Sequence, residues 1–238
     1  MKNNFSRFEA LIGTDKFNLL KDKKVIVFGV GGVGGFVVEC LARCGLENIS
    51  IVDNDKIEET NINRQIIATE NEIGKNKLDI MEKRVISICS TCRIRKFPLF
   101  YSDSNFGEFD LGSYDYVVDC IDTVSSKISL ICRSKEIGVP IISAMGAGNK
   151  LDPTKLKVSD ISKTEYDPLA KVIRKELKNR GVKNVKVVYS TEQPTNIIVG
   201  ESKNGRHSPA SAIFVPASMG ILIAKTVIDD LTGNLTGK

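Results

Sequence analysis

Apolar and polar positions alternate along the first 150 residues in a way that predicts strands and helices in succession. Short apolar runs that stop at glycine or acidic residues are typical of buried parallel strands. Five strand-like runs lie at 25–29, 48–52, 93–97, 116–120 and 140–143. Segments with the helical spacing of apolar residues lie between them, at 34–44, 74–88 and 125–137. This order predicts an α/β fold with a doubly wound, mostly parallel, Rossmann-like sheet.

The pattern changes after Gly148, where we expect a smaller C-terminal α+β lobe. Residues 155–161 and 184–189 have strand-like patterns and are expected to form a second, smaller sheet. The predicted division is therefore a core domain at 1–150 and a C-terminal lobe at 151–238.

Two helices are predicted in the last third of the chain. Asp167 is suited to cap a helix with Pro168 in its first turn, and Gly181 is suited to end that helix. A last helix should run over 216–231 and pack back on the main sheet. The most apolar run, 212–228, contains a proline and a lysine, which favours a buried helix over a membrane span.

A glycine-rich turn follows the first strand and opens the first helix of the predicted sheet. Its glycines are Gly29, Gly31, Gly32 and Gly34. Glycine permits a tight turn and lets phosphates approach backbone amides at the positive end of the helix. Asp53 ends the next strand, where a carboxylate can accept hydrogen bonds from ribose hydroxyls. Taken alone, this pattern also fits an NAD-dependent dehydrogenase or a purely structural turn.

The polar residues that follow Asp53 favour a different class of nucleotide-binding protein. They are Asp55, then Asn61, Asn63, Arg64 and Gln65 in an N-x-x-R-Q-like element, then Lys77, and Asp122 after a later strand. With these elements in order over roughly 7–148, the sequence resembles the ThiF/MoeB/ubiquitin-activating superfamily. The resemblance implies an enzyme that activates a carboxylate with ATP.

The resemblance also implies a role for each of these residues. Arg64 and Lys77 would contact the phosphates, Asp53 would hold the ribose, and Asp122 would hold Mg²⁺. Fixed cations and a metal are needed because an anionic carboxylate must approach an anionic phosphate. We therefore predict Arg64, Lys77 and Asp122 as catalytic residues, and these three with the four glycines, Asp53, Asp55, Asn61, Asn63 and Gln65 as the ATP site. A solvated surface pair is the alternative for Arg64 and Lys77.

The number and positions of the cysteines reduce the number of superfamily branches that the sequence can resemble. The six cysteines are at 40, 44, 89, 92, 120 and 132. A structural zinc site of four thiolates needs two C-x-x-C pairs, and the chain has one, Cys89–Cys92, so no structural zinc is expected. Relatives that form a thioester or persulfide use a cysteine in a later segment, so that chemistry is also expected to be absent. Free thiols and a polar start without a signal-peptide pattern favour a reducing, cytoplasmic setting.

Three stretches in the last third resemble the tRNA threonylcarbamoyladenosine dehydratases of this superfamily. They are DISKTEYDPLA at 160–170, VYSTEQP at 188–194 and AIFVPA at 212–217. The resemblance implies ATP-dependent cyclisation of N6-threonylcarbamoyladenosine at position 37 of tRNA, in which the ureido oxygen attacks the activated threonyl carboxylate. No protein nucleophile is needed, because nucleophile and electrophile belong to one molecule. Residues 1–150 would then bind ATP, and 151–238 would be the tRNA-associated lobe.

The distribution of charge supports a nucleic-acid partner. The net charge is +5, and residues 171–186 contain seven cationic side chains and one carboxylate. A concentrated basic surface is what contact with a phosphate backbone requires. The predicted tRNA-binding residues are Lys163, Lys171, Arg174, Lys175 and Lys178. An ordinary solvated helix face is the alternative.

Two other functions fit part of the pattern. One is an adenylyltransferase that activates the C-terminal Gly-Gly of a sulfur-carrier protein, and the other is a nucleotide-binding scaffold without turnover. The resemblance further implies a homodimer in which Arg64 reaches into the partner's site. A cysteine desulfurase partner and a bound monovalent cation are left open by the residues, and no membrane association is expected.

Overall fold

One seven-stranded sheet organises the protein, whose computed structural model describes residues 4–195, 197–203 and 206–233. The strands are β1 (Lys24–Phe28), β2 (Asn48–Val52), β3 (Arg93–Phe97), β4 (Tyr116–Asp119), β5 (Ile141–Ala144), β6 (Leu156–Asp160), β7 (Lys186–Ser190), β8 (Ile198–Lys203) and β9 (Arg206–Pro209). Their order in the sheet is β3-β2-β1-β4-β5-β7-β6, and β8 pairs with β9 in a separate hairpin. All neighbours in the large sheet are parallel except β6 and β7.

Helices cover both faces of this sheet. They are α1 (Ser6–Ile12), α2 (Thr14–Asp22), α3 (Gly34–Arg43), α4 (Lys77–Ile88), α5 (Val124–Ile137), α6 (Pro168–Asn179) and α7 (Phe214–Thr232). Residues of α2, α3, α4 and α7 pack with Val25 and Val27 of β1. Residues of α5 and α6 pack with Ile26 and Phe28, which point to the other face. A parallel strand buried on both faces must be apolar at successive positions, which explains the uniform apolar runs.

The predicted α/β class with a mostly parallel, doubly wound sheet is confirmed. Asp167 caps α6 as expected, since its Oδ1 accepts a hydrogen bond from the Ala170 amide at 2.9 Å. The last helix also packs on the sheet as expected. Gly220 lets α7 approach α3 closely, because a Cβ there would lie 2.5 Å from the Val33 carbonyl oxygen.

The prediction of a second, smaller sheet from 155–161 and 184–189 is wrong. β7 pairs in parallel with β5, and β6 pairs antiparallel with β7, so both strands extend the main sheet. The cause is the buried centre of β7, where Val187 and Val188 face opposite cores. The division into two domains at residue 150 stays a prediction. Strands from both sides of this position pair within the same sheet.

Several elements lie outside the sequence-based expectations. Helices α1 and α2 and the β8–β9 hairpin were not predicted. In the described part of the chain, no helix combines the length and apolarity that crossing a membrane requires.

Candidate functional site

A cleft of about 1070 Å³ opens where β1, β2, β4 and β5 end. The chain leaves β1 toward β2 and β3 and then returns to β4 on the other side of β1, which is where α/β proteins usually bind ligands. Ten of the predicted site residues line this cleft: Gly29, Gly31, Gly32, Asp53, Asp55, Asn61, Arg64, Gln65, Lys77 and Asp122. Among the residues predicted for the ATP site, Gly34 and Asn63 are the two that do not line it.

The glycine-rich turn needs glycine at two positions for steric reasons. Gly29 has φ +86°, and a Cβ there would lie 2.7 Å from the Cys120 carbonyl oxygen. At Gly34 the first turn of α3 passes so close to Gly29 that a Cβ would lie 1.8 Å from its carbonyl oxygen. Gly34 therefore allows the close packing of the turn against α3 without lining the cleft, while Gly31 and Gly32 line the cleft.

Replacing Gly34 with alanine should lower the free energy of unfolding by about 3 kcal/mol, because the added methyl group overlaps a backbone oxygen. Gly31→Ala is the matched control, since a Cβ there meets only the Gln65 side chain at 3.9 Å. We expect its effect on stability to be below about 1 kcal/mol. Urea denaturation of both variants tests the difference, and equal losses would contradict this account of the turn.

Asp53 joins the glycine-rich turn to the loop after β2. Its Oδ2 accepts from the Val30 amide at 2.7 Å and its Oδ1 accepts from the Asp55 amide at 2.9 Å. Each carboxylate oxygen can accept a further hydrogen bond. Asp53 is thus fixed at the cleft with acceptor capacity left for a donor such as a ribose hydroxyl.

Lys77 places a buried positive charge on the cleft wall. Its side chain is 6% exposed, and its Nζ lies 2.7 Å from Oδ2 of Asp55, a side chain that is 59% exposed. The Lys77 amide also donates to the Asp55 carbonyl oxygen at 3.1 Å, which fixes the start of α4 against this loop. The ammonium group has three donors, so it can contact an anion in the cleft while it keeps its bond to Asp55.

The N-x-x-R-Q-like element forms a tight loop next to the glycine-rich turn. Arg64 Nη1 donates to the Thr60 carbonyl oxygen at 2.7 Å and to Asn63 Oδ1 at 3.0 Å. Asn63 also donates to the Ser211 carbonyl oxygen at 2.8 Å, so it orients Arg64 from outside the cleft. Gln65 is buried, and its Oε1 has no hydrogen-bond partner among the described residues. Such an unsatisfied acceptor at a cleft favours a ligand that donates a hydrogen bond.

The acids after β4 have different environments. Asp122 is exposed and lines the cleft. Asp119 is fully buried and accepts a hydrogen bond from the Ile121 amide at 3.1 Å, so its contacts are structural. It also pairs with Lys127 at 2.8 Å and accepts from the Ser143 hydroxyl at 2.5 Å. Lys127 was not singled out from the sequence, although a lysine within the apolar pattern of a helix was a visible signal.

A second buried ion pair was also not predicted from the sequence. Lys150 Nζ lies 2.7 Å from Asp167 Oδ2, and both residues line the cleft. The sequence indicated Asp167 only as a helix cap. Its partner could not be found from local pattern, because the two residues belong to different loops.

The predicted tRNA-binding residues lie in and just before α6, whose first turn borders the cleft through Pro168 and Leu169. Lys163, Lys171, Lys175 and Lys178 are exposed. Arg174 differs from them, because its Nη1 donates to both the carbonyl and the hydroxyl oxygen of Thr164. That bonding ties α6 to the segment before it.

The thiols are poorly suited to nucleophilic chemistry. Burial is the main cause that raises the pKa of Cys40 to about 11 and that of Cys44 to about 12. Burial also raises the pKa of Cys92 and of Cys120, and Cys120 lines the cleft. Because the thiolate is the reactive form, the raised pKa values disfavour nucleophilic chemistry at these four thiols. In the ranges that the structure covers, no three His, Cys, Asp or Glu side chains cluster to hold a metal ion.

A glycine-rich turn, cations and acids at the switch point of a parallel sheet are typical of a nucleotide-binding α/β protein. The chain belongs to the ThiF family, whose model matches residues 5–235. This confirms the resemblance that the sequence motifs indicated.

Two relatives and one solved structure describe this membership in more detail. The chain is 38% identical over 244 residues to the tRNA threonylcarbamoyladenosine dehydratase of Bacillus subtilis, covering 97% of this chain and 95% of the relative. It is 35% identical over 199 residues to the Escherichia coli enzyme of the same name, covering 80% and 74%. The crystal structure of E. coli tRNA N6-threonylcarbamoyladenosine dehydratase in complex with ATP superposes with a TM-score of 0.89 at 31% identity, covering 97% and 94%.

Proposed function

We propose that this protein uses ATP to remove one water from N6-threonylcarbamoyladenosine at position 37 of tRNA, closing a ring within the modified nucleoside. The observation that carries the proposal is likeness to dehydratases over almost the whole chain, including most of residues 151–238. The cleft supplies the cations and acids that such a reaction needs.

The proposed chemistry takes place within one substrate molecule. A threonyl carboxylate oxygen attacks a phosphorus atom of ATP, a mixed acyl–phosphate anhydride forms, and pyrophosphate or ADP leaves. The ureido group then attacks the acyl carbon and gives up a proton, and AMP (after loss of pyrophosphate) or inorganic phosphate (after loss of ADP) departs with the former carboxylate oxygen. Because the nucleophile is tethered to the electrophile, proximity supplies much of the rate.

The positions of Lys77 and Arg64 support roles on the ATP phosphates. Lys77 is a buried cation on the cleft wall, and Arg64 lies beside Gly32 at the glycine-rich turn. Fixed positive charge at this place would offset the repulsion between carboxylate and phosphate as they approach. Asp53, fixed by two backbone amides, is placed to accept from the ribose.

The residues at the cleft fit a magnesium ion whose other ligands would be phosphate oxygens of ATP and water. Asp122 presents an exposed carboxylate at the cleft, and Mg²⁺ commonly binds through one or two carboxylates together with phosphate oxygens and water. When bound, the ion would neutralise charge on the phosphates. Asp122 would orient it relative to the glycine-rich turn.

No thiol is needed in this reaction, so Cys120→Ala should retain turnover within about threefold of the wild type. Cys120 is the informative cysteine because it lines the cleft, and Cys132 on α5 provides a control outside it. Steady-state dehydration rates of both alanine variants make the comparison. A hundredfold loss confined to Cys120→Ala would indicate a covalent thioester intermediate and contradict the proposal.

The alternative, activation of the Gly-Gly terminus of a sulfur-carrier protein, has less support. The described cysteines are all at or before Cys132, and burial raises the pKa of the one at the cleft. The alternative also does not account for the likeness to dehydratases in the C-terminal third of the chain.

The basic face of α6 is the proposed tRNA surface. Lys171, Lys175 and Lys178 are exposed on it, and Lys163 is exposed just before it. The first turn of the same helix borders the cleft. A phosphate backbone bound along α6 would therefore lie next to the place where ATP is proposed to react.

The double variant Lys171→Glu/Lys175→Glu should weaken tRNA binding at least about tenfold and flatten its dependence on salt, since fewer counterions are released. ATP binding should be unchanged. Lys83→Glu/Arg93→Glu is a matched control, because it makes the same charge change at exposed positions on α4 and β3. Filter binding at several salt concentrations measures the effect, and equal losses in the two variants would contradict a specific surface.

A homodimer is proposed in which the loop carrying Arg64 lies at the interface. Ile62, Ile213 and Phe214 are exposed apolar residues on the two segments that the Asn63–Ser211 hydrogen bond joins. Exposed apolar groups next to a site favour burial by a second copy. A monomer by light scattering that turns over at full rate would contradict this arrangement.

The function itself is tested on tRNA that carries threonylcarbamoyladenosine. After incubation with the protein and Mg·ATP, the digested nucleosides should show the modified adenosine lighter by one water, only when ATP is present. AMP with pyrophosphate as products would assign an acyl adenylate, and ADP with phosphate an acyl phosphate. Pyrophosphate exchange that appears only with a Gly-Gly-tailed carrier protein would favour the alternative.

A further inference from the structure

The segment that follows β5, residues 145–150, forms a part of the cleft wall to which no predicted ATP-binding residue belongs. Two backbone hydrogen bonds fix its ends to other segments. The Met145 amide donates to the Val188 carbonyl oxygen at 2.8 Å, and the Asn149 amide donates to the Ala210 carbonyl oxygen at 2.7 Å. We call residues 145–150 the wall segment.

One buried ion pair connects the wall segment to α6. Lys150 Nζ donates to Asp167 Oδ2 and to the Gly146 carbonyl oxygen, both at 2.7 Å. Asp167 Oδ2 also accepts from the Gly146 amide at 3.1 Å, while its Oδ1 accepts from the Ala170 amide at 2.9 Å and caps α6. The two side chains are 1% and 0% exposed.

The two oxygens of the Asp167 carboxylate contact two different parts of the protein. One oxygen fixes the first turn of α6, and the other fixes both ends of the wall segment through Gly146 and Lys150. Burying two charges carries a desolvation penalty that an apolar pair would avoid. The pair therefore stabilises a particular arrangement of helix and wall more than it stabilises the fold as a whole.

We propose that the Lys150–Asp167 pair positions the wall segment relative to α6, so that a nucleoside of tRNA bound along α6 meets the activated phosphate in the cleft. This inference rests on the proposed function and adds to it a pair of positioning residues. The basic face holds the tRNA backbone, the wall segment borders the modified base, and the ion pair sets the distance between them. An error of about 1 Å in such a distance can lower a rate about a hundredfold.

The test separates binding from turnover. Lys150→Met keeps most of the side-chain length and removes the donors, so we expect kcat to fall about a hundredfold. The dissociation constants of tRNA and ATP should stay within about twofold, because the phosphate contacts and the glycine-rich turn are untouched. Lys150→Gln restores a two-donor group that can contact the same two oxygens, and should recover kcat to within about fivefold of the wild type.

Lys23→Met provides the control for loss of an ion pair. It breaks the Lys23–Asp115 pair of 2.8 Å at the opposite end of β1, outside the cleft. Its kcat and both dissociation constants should match the wild type. Should Lys150→Met fail to fold, Asp167→Ser keeps a helix-capping oxygen while it removes the partner of Lys150, and the same fall in kcat is expected.

The outcomes distinguish this inference from the proposed function. Wild-type protein that removes no water from modified tRNA would overturn both. An active wild type with an unchanged kcat in folded Lys150→Met would overturn only the positioning role. So would a loss of tRNA or ATP affinity that accounts for the whole fall in turnover, or a glutamine variant no better than methionine.

Discussion

Lys77→Met is expected to lower kcat/KM for ATP by about 10²–10³-fold, the usual cost of removing one preorganised charge from a transition state. The ammonium group is buried on the cleft wall with Asp55 as its partner. Water cannot replace it there without reorganising, so its loss leaves the incoming carboxylate and the phosphate mutually repelled. Methionine keeps the apolar stem, which limits the change to the charge.

Lys75→Met serves as the matched control for Lys77→Met. Lys75 lies two residues earlier, is half exposed, and pairs with Glu72 away from the cleft. Its loss should leave kcat/KM unchanged within error. Dehydration rates at varied ATP, with ATP binding by calorimetry, make the comparison. Equal effects of the two substitutions would mean that net charge, and not the position of Lys77, governs the reaction.

The second large effect concerns stability. Lys127→Met should lower the free energy of unfolding by about 3–5 kcal/mol, because it leaves the Asp119 carboxylate buried without its counter-charge. Lys127 Nζ donates to Asp119 Oδ2 at 2.8 Å, to Ser143 Oγ at 3.2 Å and to the Ala144 carbonyl oxygen at 2.9 Å, and the Lys127 and Asp119 side chains are fully buried. These contacts join the ends of β4 and β5 beneath the cleft.

A double variant isolates the role of the charge in this pair. Lys127→Met/Asp119→Asn removes both charges while it keeps an acceptor for the Ile121 amide, and should recover most of the loss. Breaking the partly exposed Lys23–Asp115 pair should cost about 1 kcal/mol or less. Urea denaturation gives all three values. A single-variant loss near 1 kcal/mol would contradict the buried-pair explanation.

Local pattern predicted most of the fold, because a parallel strand buried on both faces has a recognisable composition. The strands at 48–52 and 93–97 have the predicted bounds, and α6 begins at its predicted cap. Sheet membership of β6 and β7 was predicted wrongly. The pairing of β7 with β5 depends on residues more than forty positions apart, and no local period encodes such a contact.

The candidate site was predictable to a similar extent. Ordered motifs predicted residues that do meet at one cleft, and their roles in catalysis stay predictions. Motifs did not show that Asn63 and Gly34 act from outside the cleft wall. They also could not pair Lys127 with Ser143 or Lys150 with Asp167, since these contacts join separate loops and elements. Buried lysines are visible in sequence only as exceptions to an apolar pattern.

The order of the strands also constrains how copies of this protein can associate. The two outer strands, β3 and β6, carry exposed cations at Arg93, Arg95 and Lys157. Charges on border strands discourage another chain from adding to a sheet. Self-association by edge-to-edge pairing is thereby disfavoured, and contact between copies is left to helices and loops such as those around Arg64. The same charged outer strands therefore also lower the tendency of the seven-stranded sheet to aggregate through its edges.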